Sequence, residues 1–259
     1  MTIMRRLRRG VRVVLEKIFR PERVGVEHYE KVIIPEVLND DFYQMINNIS
    51  ARSDLMKFLE IGSSSGAGST QALVAGINVR ESKEGTVLHC MEISLPRFEA
   101  LKDTYSNFDF VKVHRLSSVG LDSFPTKSEL KFFYKKFPSA LNNYTFDEIY
   151  SWMAKDIEYL RMNIDELLTF GHSDHTGSGI EYIKREFEIP QFDFVLIDGG
   201  EFLGWAEFKI LYGAKVIALD DINSYKCRYA YDALNTDSSY RLIAESWTTR
   251  NGWAIFEKN

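Results

Sequence analysis

The chain has 259 residues, is 45% hydrophobic, 14% aromatic and 27% charged, and carries a net charge of −5. That length suits one α/β domain or one domain with a large insertion, and the proportions exclude a low-complexity or collagen-like chain. Two cysteines, Cys90 and Cys227, cannot build a disulfide framework or a four-cysteine zinc site, so a reducing, cytoplasmic compartment is expected.

The charge is unevenly spread. Residues 1–23 hold eight Lys/Arg and two Glu, and the remainder holds 24 basic and 35 acidic residues. An acidic body argues against a nucleic-acid partner, which needs basic surface to displace counterions. A small molecule or a neutral glycan fits it better.

In chain order, residues 2–19 form an amphipathic helix by pattern. Ile3, Met4, Leu7, Val11, Val14, Leu15 and Ile18 share one stripe, and Arg5, Arg6, Arg8, Arg9 and Arg12 lie opposite. Two roles stay open: peripheral contact with the inner face of a membrane, or docking on the acidic body or on a second copy in a homo-oligomer. No apolar stretch follows the arginines, so it is not a secretory signal. No apolar run reaches the roughly 18 residues of a membrane span.

Strands are expected at Leu55–Ile61, Thr86–Ile93, Phe110–Arg115, Phe192–Ile197 and Lys215–Leu219, short runs suited to a parallel sheet buried on both faces. Helices follow at Thr70–Ile77 and Pro96–Tyr105. Tyr240–Ser246 and Trp253–Glu257 flank Arg250-Asn251-Gly252, and Asn-Gly between apolar runs signals a hairpin. Residues 119–191 exceed one crossover helix and read as a helical insertion, a lid or substrate wall. Its helix at about 146–168 starts with the capping box Thr145 and Glu148, and a second spans about 178–187. The division is residues 1–23, then a domain over 24–259 containing the insertion.

The first chemical motif is Glu60-Ile61-Gly62-Ser63-Ser64-Ser65-Gly66-Ala67-Gly68-Ser69. A buried strand ends in an acid, and a glycine-rich turn opens a helix whose free N–H groups face a ligand. The second glycine of a dinucleotide fingerprint would fall on Ser64, and no Gly-Lys-Ser/Thr follows for a phosphate loop. Glu60-x-Gly62-x-x-x-Gly66-x-Gly68 resembles the first motif of the class I S-adenosylmethionine (SAM)-dependent methyltransferases. The resemblance covers about 55–118 and 190–258. It implies a doubly wound, Rossmann-like sheet of seven strands with the last antiparallel. It also implies a cofactor site from Glu60, Gly62, Ser63, Ser65, Gly66, Gly68 and Ser69. Glu92 would take the ribose hydroxyls, Ser117 and Ser118 would lie at the adenine, and Asp198 would stand beside the cofactor.

The second motif is Asp198-Gly199-Gly200-Glu201 after the fourth strand, with Asp220-Asp221 after the fifth. Three carboxylates at the ligand edge of an open sheet either meet a cation, Mg²⁺, Mn²⁺ or Ca²⁺ by their oxygen donors, or serve turns and helix caps. The pair of motifs looks like the metal-dependent O-methyltransferases, closest to the branch that modifies sugars of macrolides and related glycans. That resemblance implies Asp198, Asp220 and Asp221 as ligands of Mg²⁺ and methyl transfer to a sugar hydroxyl; the basic amphipathic N-terminus motivates a glycan on a lipid carrier as acceptor. The branch carries a histidine, assigned as base, where this chain has Glu201. Glu201, Asp198, or His172 and His175 of the loop around Asp174 are the candidate catalytic groups, with His114 a weaker one. His28, His89 and Cys90 read as structural. Two other classes remain: a cofactor-binding protein without turnover, and an NAD or nucleotide-sugar oxidoreductase. The glycine spacing opposes the last, as does the missing Tyr-x-x-x-Lys, since Tyr182 meets Glu186 at that offset.

Overall fold

The structure, a computed structural model, describes residues 27–32, 35–170 and 177–259. The basic segment 2–19, His172, Asp174 and His175 lie outside the described residues.

After a short helix α1 (Glu27–Glu30) and helix α2 (Asp41–Ser50), strands and helices alternate: β1 (Lys57–Ile61), α3 (Ser69–Asn78), β2 (Val87–Met91), α4 (Leu95–Thr104) and β3 (Val111–His114). Three helices fill the insertion: α5 (Lys127–Lys136), α6 (Phe146–Thr169) and α7 (Gly179–Glu186). Then come β4 (Phe194–Ile197), α8 (Gly204–Leu211), β5 (Val216–Asp220), α9 (Arg228–Thr236), β6 (Tyr240–Ser246) and β7 (Trp253–Lys258). The seven strands form one sheet in the order β3-β2-β1-β4-β5-β7-β6. The first five are parallel, and β7 runs antiparallel to both β5 and β6. This is the expected fold class.

Alternation along the strands divides the core in two. Leu59, Ile61, Val195, Ile197, Ile217 and Leu219 face α7, α8 and α9. Phe58, Leu88, Phe194, Leu196, Val216 and Ala218 face α2, α3 and α4. A satellite core under the insertion joins Leu130, Phe133 and Met153 to Phe202 and Tyr225. Of the aromatics in the insertion, Phe133 is therefore packing, while Phe132 is exposed.

Five helices go beyond the sequence-read elements: α1, α2, α5, α8 and α9. Two carried signals: Asp40 caps α2 by accepting from Tyr43 N–H at 2.8 Å, and α5 opens with a capping box of Thr126 and Glu129. The box at Thr145 and Glu148 forms as expected. The hairpin also forms, but residues 247–252 separate its strands. Arg250 there adopts a left-handed φ of +53°, which aims its side chain back at the sheet edge.

Candidate active site

Strand order reverses between β1 and β4, which opens a crevice at the carboxyl ends of the parallel strands. Gly62 and Asp198 flank that point, with Asp198 N–H donating to Ile61 O at 3.2 Å. A Cβ on Gly62 would run into the Asp198 carbonyl, and its φ is +84°. Only glycine permits this approach.

Two clefts meet here and share Gly62, Ser64 and Asp198. The first, about 920 Å³, continues past Glu92, Ser117 and Ser118 to Asp156 and Tyr159 of α6. The insertion therefore supplies part of its wall. The second, about 740 Å³, lies between the glycine loop and Asp220, Asp221 and Lys226.

Under the loop, Glu60 is fully buried. Its carboxylate accepts from the hydroxyls of Ser63, Ser69 and Thr70, each at 2.6 Å. Burial raises its pKa, and those three hydroxyls oppose the rise. Tyr105 O–H adds a 2.5 Å bond to Gly66 O. Glu60 lines neither cleft, so it shapes the loop from below, and Ser63 and Ser69 spend their hydroxyls on it. Ser65 and Gly68 line the second cleft. Gly66 (φ +84°) packs against Tyr105.

At the end of β2, Glu92 faces the first cleft. One oxygen accepts from Ser94 N–H at 2.7 Å. Burial raises its pKa against the pull of nearby N–H groups. A carboxylate with one oxygen so held and capacity remaining fits a vicinal diol. Ser117 and Ser118 line the same cleft, but their hydroxyls are committed to Val119 O at 2.6 Å and Glu207 Oε1 at 2.5 Å. Glu207, which the sequence did not single out, is a fully buried carboxyl on α8 pushed up to about 7 by burial.

The three aspartates come together, with oxygens within 4.8 Å of one another. Asp220 ends β5 and Asp221 turns left-handed (φ +59°), a conformation aspartate tolerates better than most residues. Neither caps α9, whose N-cap is Cys227. Each aspartate has a cationic partner. Lys226 Nζ lies 2.9 Å from Asp198 Oδ1 and 2.6 Å from Asp221 Oδ2. Arg250 Nη2 lies 2.7 Å from Asp220 Oδ1 and also pairs with Asp40. Burial would lower the Lys226 pKa, but the three aspartates outweigh it and keep the ammonium charged. Burial raises Asp198 and Asp220; for Asp221 burial acts the same way, but Lys226 overcomes it and holds the group low. The donor set is of the kind a hard divalent ion takes, yet an ion would have to displace Lys226 from two of its three ligands. As arranged, the cluster does not fit the Mg²⁺ expected there.

Glu201 is placed differently from the expected base. Its oxygens accept from Ser224 Oγ and Tyr225 N–H, both at 2.9 Å, and it lines neither cleft. Burial pushes it up to about 7. It anchors the turn that carries Lys226. His114 is also remote: its Nε2 lies 2.9 Å from His89 Nδ1, beneath Phe187.

The fold, with this crevice at its switch point, is one that solved structures share. The same fold is found in cofactor-bound Rv0187 from MTB (12% identity, 96% of this chain and 95% of that one, TM-score 0.50). It recurs in a protein assigned as an O-methyltransferase from Klebsiella pneumoniae (10% identity, 96% of each chain, TM-score 0.50). At these identities the likeness is one of fold. No family model and no curated protein matches the sequence. Among the described residues no helix is long and apolar enough to cross a membrane.

Proposed function

We propose that the protein transfers the methyl group of SAM to a hydroxyl, with a sugar or glycan as acceptor. The observation that carries this is the arrangement around Gly62. A glycine turn closes on the end of β4, and a buried Glu92 faces the first cleft with hydrogen-bonding capacity to spare. In this reading the first cleft holds the adenosine, with Glu92 on the ribose hydroxyls and Ser117 and Ser118 beside the base. The glycine loop positions the methionine end toward the second cleft. When bound, the cofactor supplies a methyl group on a positively charged sulfur.

The acceptor lies in the second cleft, where Asp198 stands at the junction. Three carboxylates there suit a neutral polyhydroxy compound and repel an anionic one. With the cofactor bound, Asp198 would take the proton of the acceptor hydroxyl as that oxygen takes the methyl group, and a neutral thioether would be left. The site mainly aligns the two reactants. Mg²⁺ has no part in this proposal, because Lys226 and Arg250 already partner the three aspartates. The boundaries 24–259, with 119–191 as an inserted wall, are retained as the domain division. The lipid-linked acceptor and membrane contact rest on residues 2–19. Vesicle sedimentation that is equal with and without residues 1–20 would remove both.

The test is calorimetric titration of S-adenosylhomocysteine (SAH), paired with transfer of a labelled methyl group to a panel of sugars. Micromolar SAH binding with label in a sugar ether is the expected result. SAH binding without transfer to any hydroxyl would reduce the protein to a cofactor binder. No SAH binding would end the reading.

A further inference from the structure

We propose that Lys226 is a built-in cation. Its ammonium takes the place a divalent ion would hold among Asp198, Asp220 and Asp221, and it presents an N–H to the acceptor oxygen in the second cleft. The acceptor contact rests on the methyl-transfer reading; the substitution for an ion does not.

The position of the ammonium is constructed rather than incidental. Lys226 is only 7% exposed, and it lines the second cleft. An isolated buried ammonium is costly, and pairing with carboxylates at hydrogen-bond distance is what offsets that cost. Here Nζ bonds Asp198 at 2.9 Å and lies 2.6 Å from Asp221. Two of its three N–H groups are thereby directed, and one is left for a ligand.

The backbone behind it is boxed in. Lys226 N–H donates to Ser224 Oγ at 3.2 Å, and Ser224 in turn donates to Glu201. On the far side, a Cβ at Gly204 would strike the Lys226 carbonyl, so the start of α8 can close on this turn only as glycine. The left-handed Asp221 swings its carboxylate to the same ammonium. Glu201, the departure from the family motif, and Lys226 thus belong to one device: the glutamate fixes the turn, and the turn delivers the charge. An ammonium differs from a metal ion in what it offers. It donates hydrogen bonds and carries one positive charge on a tether, so it cannot be removed by a chelator.

The test uses Mn²⁺ with the full-length protein, read by the electron paramagnetic resonance signal of free Mn²⁺ and by Tm. Wild type is expected to leave the free signal and Tm unchanged. Lys226→Met is expected to take up about one ion per chain and to gain Tm on adding Mn²⁺. That uptake is expected to vanish in Lys226→Met with Asp198→Asn. Lys226→Gln keeps the comparison decisive if the methionine variant fails to fold. Mn²⁺ binding by wild type that disappears in Asp198→Asn would overturn the proposal. Binding in neither protein would overturn it too, since two released carboxylates beside Asp220 that take no ion were never a cation site. In turnover, a chelator should leave wild type unaffected, whereas Lys226→Met should fall about 100-fold, as for loss of a donor at a developing oxyanion. Unchanged turnover in Lys226→Met would remove the acceptor contact. Absence of SAH binding in wild type would sink the methyl-transfer reading while the Mn²⁺ comparison still decided the cation.

Discussion

The glycine loop and the aspartate cluster face each other across the second cleft and are held by opposite means. Around the loop one carboxylate, Glu60, gathers three hydroxyls that follow it within ten residues. Around the cluster, three carboxylates gather two cations, and all but one of the pairs are distant in sequence: Lys226 is five residues from Asp221 but 28 from Asp198, and Arg250 is 30 from Asp220 and 210 from Asp40. The first arrangement is a local fold of the chain that happens to shape a cleft. The second exists only once the sheet is assembled, and there the chain departs from the motif it resembles.

The largest effect should come from cutting the local device. Glu60→Ala leaves three buried hydroxyls without their acceptor and should destabilise the fold by about 3 kcal/mol, measured by urea unfolding. SAH affinity should fall with it, because the loop loses its floor. A loss below about 0.5 kcal/mol would show that the hydroxyls find other partners and that the two sides are not held so differently.

A second effect separates a buried carboxyl without an ion pair among the described residues from those of the cluster. Glu207 accepts from the Ser118 hydroxyl, and burial pushes it up to about 7. Its folded pKa lies above the unfolded value, so the stability it contributes is full below about pH 4.5 and is lost as pH rises through about 7. Glu207→Gln keeps an acceptor for Ser118 and removes the titration. It should raise stability at pH 8 by about 2–3 kcal/mol and change little at pH 4. A variant whose pH profile parallels wild type would assign the loss at high pH to other groups. Smaller again, Glu92→Gln replaces a charged acceptor with a neutral one and should weaken SAH binding about tenfold, with little change in Tm. Equal SAH affinity would take Glu92 out of the cofactor site.

The same contrast explains what could be read beforehand. Strands β1, β2, β4 and β5 were legible because each is a short, mostly apolar run buried on both faces, whereas β3 lies at the sheet edge with Lys112 exposed. The glycine turn was legible because its acid, glycines and serines are contiguous. The roles within it were less so: Glu60, Ser63 and Ser69 spend their side chains on one another, and a one-dimensional motif does not distinguish a residue that touches a ligand from one that supports the loop. Asp198, Asp220 and Asp221 were legible as a cluster because all three lie at strand ends. Their partners were not. Lys226 has the surroundings of an ordinary helix-entry lysine, and Arg250 sits in what reads as a hairpin turn. Only the six-residue loop and the left-handed φ at Arg250 bring its guanidinium to β5. Glu201 lies at the expected turn, where its two oxygens accept from Ser224 and Tyr225 and hold the segment that carries Lys226.

The smallest predicted effect tests whether the loop is braced from outside its own motif. Tyr105, just past α4, is buried, and its O–H reaches Gly66 O at 2.5 Å, 39 residues away. It is a long-range side-chain tie on the glycine loop, beside the backbone bonds of Gly62 and Ser63 N–H to Met91 O, and it involves no charge pair. Tyr105→Phe removes the donor and preserves the ring that packs against Gly66, so the cost should be about 1 kcal/mol in unfolding free energy. The Glu60 bonds would keep the loop in place, and SAH affinity should drop by no more than about threefold, since a fraction of one hydrogen bond is at stake. A drop of tenfold or more would mean that the loop is poised by Tyr105 rather than by Glu60, and the contrast between a locally held and a distantly held side of the cleft would fail.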